Sequence, residues 1–110
     1  MTERMTPERA LAAVSASADG LYGVLLEHGT MELGFYRPVG NDGQAPHDQD
    51  EIYIVQTGCG VFLLGDERTD FGPGDALFVP AGAEHRFSEF SDDFATWVVF
   101  WGPPGGESPT

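Results

Sequence analysis

The stretch Gly74-Asp75-Ala76-Leu77-Phe78-Val79-Pro80-Ala81-Gly82-Ala83-Glu84-His85 decides the reading of this chain. It has an upstream companion, His47-Asp48-Gln49-Asp50-Glu51-Ile52-Tyr53-Ile54-Val55-Gln56-Thr57-Gly58. Each combines turn glycines and β-forming residues with side chains that bind metals. Side chains of an extended segment alternate between faces, so His47, Gln49 and Glu51 are expected on one face. Imidazole with carboxylate suits a first-row divalent ion, and two histidines with one carboxylate and open positions can hold Fe(II). His85 supplies the second imidazole provided that its strand faces the first across a barrel.

Outward from these segments the texture is that of strands. Runs of β-formers at 21–27, 31–37, 51–56, 61–64, 76–79, 85–90 and 94–101 alternate with Gly, Pro and Asp punctuation. Strands this short, with turn signals this frequent, predict an all-β antiparallel sandwich or barrel and not a βαβ fold. Thr57-Gly58-Cys59-Gly60 reads as a hairpin, Gly65-Asp66-Glu67 as a second break, and Gly72-Pro73-Gly74-Asp75 as a tight turn. One helix precedes the strands. Thr6 is its N-cap, Pro7 its first residue and Glu8 lies in the first turn, with Leu11 and Val14 expected on one face over 7–15. The organisation expected is a helical segment over 1–19, a barrel over 20–101 and a flexible Gly/Pro/Ser tail over 102–110.

Both segments resemble the motifs of the cupin superfamily. The second motif, G-x₅-P-x-G-x₂-H-x₃-N, is matched by Gly74, Pro80, Gly82 and His85, with Glu89 at the position of the final Asn. The first, G-x₅-H-x-H-x₃₋₄-E-x₆-G, is matched in its second half by His47, Glu51 and Gly58, while Ala45 stands where the leading His belongs. The 15 residues between Gly58 and Gly74 equal the short spacer of small cupins. The resemblance implies a cupin jelly-roll (double-stranded β-helix) barrel with a short N-terminal helix. It also implies His47, Glu51 and His85 as ligands of a divalent metal, Fe, Mn, Ni or Zn, with Gln49 as an alternative neutral ligand.

Composition narrows the function. Eighteen Asp and Glu against five Arg and no Lys give a formal charge of −13, which repels nucleic-acid phosphates and anionic membranes. Without lysine there is no Schiff base and no P-loop. The single cysteine, Cys59, excludes a disulfide framework and a multi-cysteine zinc site. Arg4 and the Ala-rich stretch after it make a poor signal peptide, so a soluble, cytoplasmic protein is expected. His28 and Cys59 read as surface or incidental residues. Tyr53, Phe78 and Phe87 are candidates for binding a substrate, beside the alternative that aromatics simply fill the barrel. Arg37 and Arg86 would suit a substrate carboxylate, although Arg86 faces oppositely to His85. Trp97 and Trp101 mark a strand apolar on both faces and a homodimer through it or through edge strands. Three functions stay open: a metal-dependent enzyme acting on a small organic molecule by oxygenase- or isomerase-like chemistry, a non-catalytic module binding or sensing a small ligand or metal, and a metal-free scaffold.

Overall fold

The computed structural model describes residues 3–108. Helix α1 (Pro7–Ala16) is followed by eight strands: β1 (Tyr22–His28), β2 (Met31–Tyr36), β3 (Asp50–Thr57), β4 (Gly60–Leu64), β5 (Glu67–Phe71), β6 (Ala76–Val79), β7 (His85–Phe90) and β8 (Ala95–Trp101). They form two antiparallel sheets, ordered β1-β2-β8-β3-β6 and β5-β4-β7. This is the double-sheet jelly-roll expected for the chain.

Alternation along each strand builds the core. Tyr36, Tyr53, Val55, Val79 and Val98 of the larger sheet meet Phe62, Phe71 and Phe87 of the smaller one, with Phe94 from the turn before β8. The opposite face of the larger sheet receives the helix, where Ala10 and Val14 pack on Phe35 and Ala95 beside Leu25 and Trp97. Thr6 caps α1 by accepting from Arg9 N at 3.2 Å. The buried helical pair is Ala10 and Val14, four apart, and Leu11 is 42% exposed, which corrects the pairing of Leu11 with Val14. Gly23 permits the close approach of β1, because a Cβ there would overlap the α1 backbone at Ala13 and Val14. Backbone cannot yield as a side chain does. Gly23→Ala is therefore expected to cost about 1–3 kcal/mol, read by urea unfolding. A loss within 0.3 kcal/mol of zero, roughly the measurement error, would show that α1 is free to lift.

Two expectations need correction. Strand β5, Glu-Arg-Thr-Asp-Phe, was not foreseen, because as an edge strand with four exposed residues it shows no apolar alternation. Thr57-Gly58-Cys59-Gly60 is not a hairpin: β3 and β4 lie in different sheets, so it is the crossing between them. Ser91 clamps that crossing, its N donating to Cys59 O (2.9 Å) and its Oγ accepting from Cys59 N (3.0 Å). The Trp-bearing strand β8 is central in its sheet. It lies between β2 and β3, and Trp97 stacks edge-on against Phe35 and donates its Nε1–H to Gln56 Oε1 at 2.9 Å.

The start of the tail is also tied down. Gly102 N donates to Thr30 Oγ1 (3.1 Å), Gly105 N to Asp48 O (2.6 Å) and Glu107 N to Asp50 Oδ2 (2.8 Å). The last two residues of the expected flexible tail, 109 and 110, lie outside the described residues. Asp50 also accepts from Ala81 N at 3.0 Å, so one buried carboxylate joins β3, the β6–β7 turn and the tail. Donation from Glu107 N, then from Ala81 N, holds its pKa below the ordinary aspartate range. A depressed folded pKa stabilises above the unfolded value, about 3.9, and that contribution is lost as pH falls through the folded value. The stability advantage of wild type over Asp50→Asn is expected to hold from neutrality to about pH 5 and to shrink below about pH 4. An advantage undiminished in acid would remove the carboxylate's charge from this account.

Candidate metal centre

Glu51 enters from β3 and His85 from the first position of β7, so they face one another from the two sheets. His47 arrives from the loop before β3. Gly82 N donates to His47 O at 2.7 Å, fastening that loop to the Pro80–Ala83 turn that launches β7. Gly82 sits there at φ +80, the left-handed position of a turn closed by Ala83 N on Pro80 O (3.2 Å). The Pro-x-Gly-x₂-His spacing is thus a turn followed by an inward-pointing imidazole.

One donor atom from each of His47, Glu51 and His85 lies within 4.8 Å of the others. Glu51 and His85 are buried, to 1% and 6% exposure. His85 Nδ1 lies 2.9 Å from Ala83 O, which accepts only, so Nδ1 carries the proton and Nε2 presents a lone pair. That lone pair faces Glu51 Oε1 at 3.3 Å. Among the described residues, neither Glu51 oxygen nor His85 Nε2 has a hydrogen-bond partner. Burial pulls the His85 pKa down, but the Glu51 carboxylate and the Ala83 carbonyl, with a smaller push from Asp42, leave it raised. Acceptors held face to face in a buried place attract a cation, a proton when no metal is bound, which is why the His85 pKa is raised, and the donor set of two imidazoles and a carboxylate fits a first-row divalent ion.

The other sequence candidates fall elsewhere. The chain bends at Asp48 and Gln49, so alternation does not carry through, and Gln49 Nε2 donates to the carbonyls of Thr30 and Gly102 at 3.0 Å each. Phe78 points outward, 52% exposed, with its ring 6.2 Å from Trp101. Tyr53 and Phe87 are buried in the aromatic core. Arg86 and Glu89 lie on the outer face of β7, Glu89 against Arg68 at 3.3 Å, and Arg37, His28 and Cys59 are exposed. None of these lines the cavity that opens beside the cluster, about 340 Å³ in volume. Its walls are Leu21, Tyr22, Tyr36, Val98 and Phe100, with Gln44, His47 and Glu51 at the cluster end and Asp19 also on the lining.

Asp42 and Gln44 were missed. Asp42, 7% exposed, accepts from Tyr36 OH (2.7 Å), Gln44 N (3.1 Å), Gln44 Nε2 (2.8 Å) and Phe87 N (2.8 Å). It pins the loop ahead of His47 to β7. In sequence it sits in Gly40-Asn41-Asp42-Gly43, indistinguishable from a turn aspartate.

Fold and cluster together define a small jelly-roll barrel with a His–Glu–His donor group between its sheets. The chain belongs to the cupin domain family, whose model matches residues 36–101. An uncharacterized protein of Streptomyces coelicolor is 40% identical over 86% of this chain and 90% of its own length. An acireductone dioxygenase of Rhodopseudomonas palustris is 44% identical over 45 residues, which is 37% of this chain and 27% of that enzyme. Among solved structures, a cupin 2 conserved barrel domain protein of Salinispora arenicola superimposes with a TM-score of 0.67 at 23% identity, covering 93% of this chain and 89% of that one. That likeness is one of fold.

Proposed function

We propose that this cupin binds a divalent first-row metal through His47, Glu51 and His85 and presents it to a small organic molecule held in the adjoining cavity. The observation that carries the reading is the buried Glu51–His85 pair, a carboxylate oxygen and an imidazole nitrogen 3.3 Å apart, neither with a hydrogen-bond partner among the described residues. Such a metal supplies Lewis acidity or dioxygen activation. The short match to a dioxygenase supports oxygenase-type turnover over isomerisation.

The cavity restricts what is bound. No arginine is among its lining residues, the chain has no lysine, and Asp19 and Glu51 are acidic. Main-chain donation from Leu21 and Tyr22 keeps the Asp19 pKa low, so it is ionised at neutral pH. A ligand with a largely apolar body and a neutral chelating oxygen group matches these walls, and a phosphorylated one does not.

A second, non-catalytic reading has its own support. Tyr22 OH donates to Glu32, Tyr36 OH to Asp42 and Tyr53 OH to Gln44, at 2.6, 2.7 and 2.9 Å. Burial raises all three phenol pKa values well above the usual range, so these hydroxyls stay protonated and engaged. That suits holding a ligand more than moving its protons. The test is titration of metal-free protein with Fe(II), Mn(II), Ni(II) and Zn(II), followed by the loaded form under air with neutral chelating oxygen compounds and their phosphorylated counterparts. One equivalent bound, with binding confined to the neutral compounds, is expected; turnover separates enzyme from module. Absence of binding by all four ions sinks the metal reading.

The proposal includes a cytoplasmic homodimer. Phe78, 52% exposed, lies beside Trp101, and Ile54, 42% exposed, pairs with Trp97 on the same outer face of β3, β6 and β8, which suits burial against a second copy. Sedimentation should show twice the 11.9 kDa chain mass, reduced to the monomer by Phe78→Glu. A monomer in wild type rejects the dimer alone.

A further inference from the structure

Gln44 is held so that its amide oxygen, and not its nitrogen, faces the donor cluster. Its Nε2 donates to Asp42 Oδ2 at 2.8 Å. Since a carboxylate at neutral pH only accepts, the amide cannot be turned around. Oε1 then accepts from Tyr53 OH at 2.9 Å and lies 3.3 Å from His47 Nε2. An amide oxygen has no proton to give. Without a metal, Nε2–H of His47 donates to this oxygen; a metal bound through Nε2 displaces that proton and leaves two acceptors facing one another that the shared cation reconciles. Donors bound to one first-row ion at about 2.1 Å each lie roughly 3.0 to 3.4 Å apart, between right-angle and tetrahedral geometry. The two separations of 3.3 Å, His47 to Gln44 and His85 to Glu51, both fall in that range. Gln44 also lines the cavity with His47 and Glu51, and the neighbouring hollow with His85.

We propose that Gln44 Oε1 is a fourth, neutral ligand of the metal held by His47, Glu51 and His85, replacing the imidazole absent at Ala45. The inference rests on the metal reading above and adds a ligand to it. Exchanging an imidazole for an amide oxygen leaves the charge of the donor set unchanged and makes it harder. Selectivity therefore moves toward Mn(II) and Fe(II) and away from Zn(II). Asp42 and Tyr53 become the groups that aim the ligand, which explains why a buried carboxylate and a buried phenol converge on one loop amide.

Co(II) is the probe, titrated into the metal-free full chain and followed by its ligand-field absorption. Wild type is expected to bind one equivalent. Gln44→Ala is expected to bind about 10- to 100-fold more weakly, with ligand-field bands shifted in position and intensity. Gln49→Ala, which removes an amide outside the cluster, is expected to keep the wild-type spectrum. Melting of each metal-free variant checks folding, and Gln44→Met, which keeps side-chain length and bulk, replaces the alanine variant if that one fails to fold. Unchanged bands in the folded Gln44 variant overturn the ligand assignment, whatever happens to affinity, because a residue that only aims His47 leaves the donor atoms the same. Wild type that binds no Co(II) fails the metal reading itself, and the fourth ligand with it.

Discussion

Glu51→Gln is expected to stabilise the metal-free protein while lowering its affinity for a divalent metal by at least about 100-fold. The two effects have one cause. Glu51 is 1% exposed, and neither carboxylate oxygen has a hydrogen-bond partner among the described residues. A buried charge without adequate partners costs several kcal/mol, whereas an unsatisfied neutral amide costs roughly 1–3. The amide also brings a donor to a place where His85 Nε2 offers a lone pair 3.3 Å away. A contact that otherwise holds only when His85 takes up a proton becomes a neutral hydrogen bond, and a gain of about 1–2 kcal/mol follows, or several degrees in melting temperature. Metal binding moves the other way, because the substitution removes the anionic ligand of the set. Calorimetric titration with Mn(II) and thermal melting without metal read both. A variant less stable than wild type, with metal binding intact, would make Glu51 and His85 a structural ion pair.

The second large effect lies in the barrel centre. Phe87, 1% exposed, has ring centroids of Tyr53, Phe62, Phe71 and Phe94 at 4.9, 4.9, 5.4 and 4.6 Å. Phe87→Ala is expected to lose about 3–5 kcal/mol, since four rigid rings cannot close over the space. Against a total of about 5–15 kcal/mol, that is a large share, and melting should fall by roughly 15–30 °C. Phe87→Leu should lose well under half as much. The damage reaches the donor cluster as well, because Phe87 N donates to Asp42 Oδ2, and Asp42 holds Gln44. A loss below about 1 kcal/mol in urea unfolding would mean that the barrel collapses around the missing ring.

The aromatic residues show how far sequence reading goes. Sequence reading offers Tyr53, Phe78 and Phe87 alike as pocket-lining or barrel-filling, and of these Tyr53 and Phe87 are inside. It was silent on whether an inward ring meets a ligand or another ring, because facing strands come from distant parts of the chain. Phe78, between the inward Leu77 and Val79 on β6, faces outward for the same periodic reason. Gln49 failed differently: alternation assumes extended backbone, and the chain bends one residue before β3 begins.

What the sequence by itself determined is whatever local backbone chemistry controls. The helix start at Thr6-Pro7, the turn at Gly72 to Asp75, the strand texture and the Pro-x-Gly-x₂-His launch of β7 all depend on neighbours within a few residues. What only the tertiary structure decided depends on residues far apart in sequence. Glu51 meets His85 because β3 and β7 belong to opposed sheets. Asp42 is a buried hub because Phe87 N, 45 positions later, reaches it. Gln44 turns its oxygen to the cluster because Asp42 claims its nitrogen. Burial strips these groups of water, and their chemistry is then set by whichever partners the fold brings within 3.3 Å.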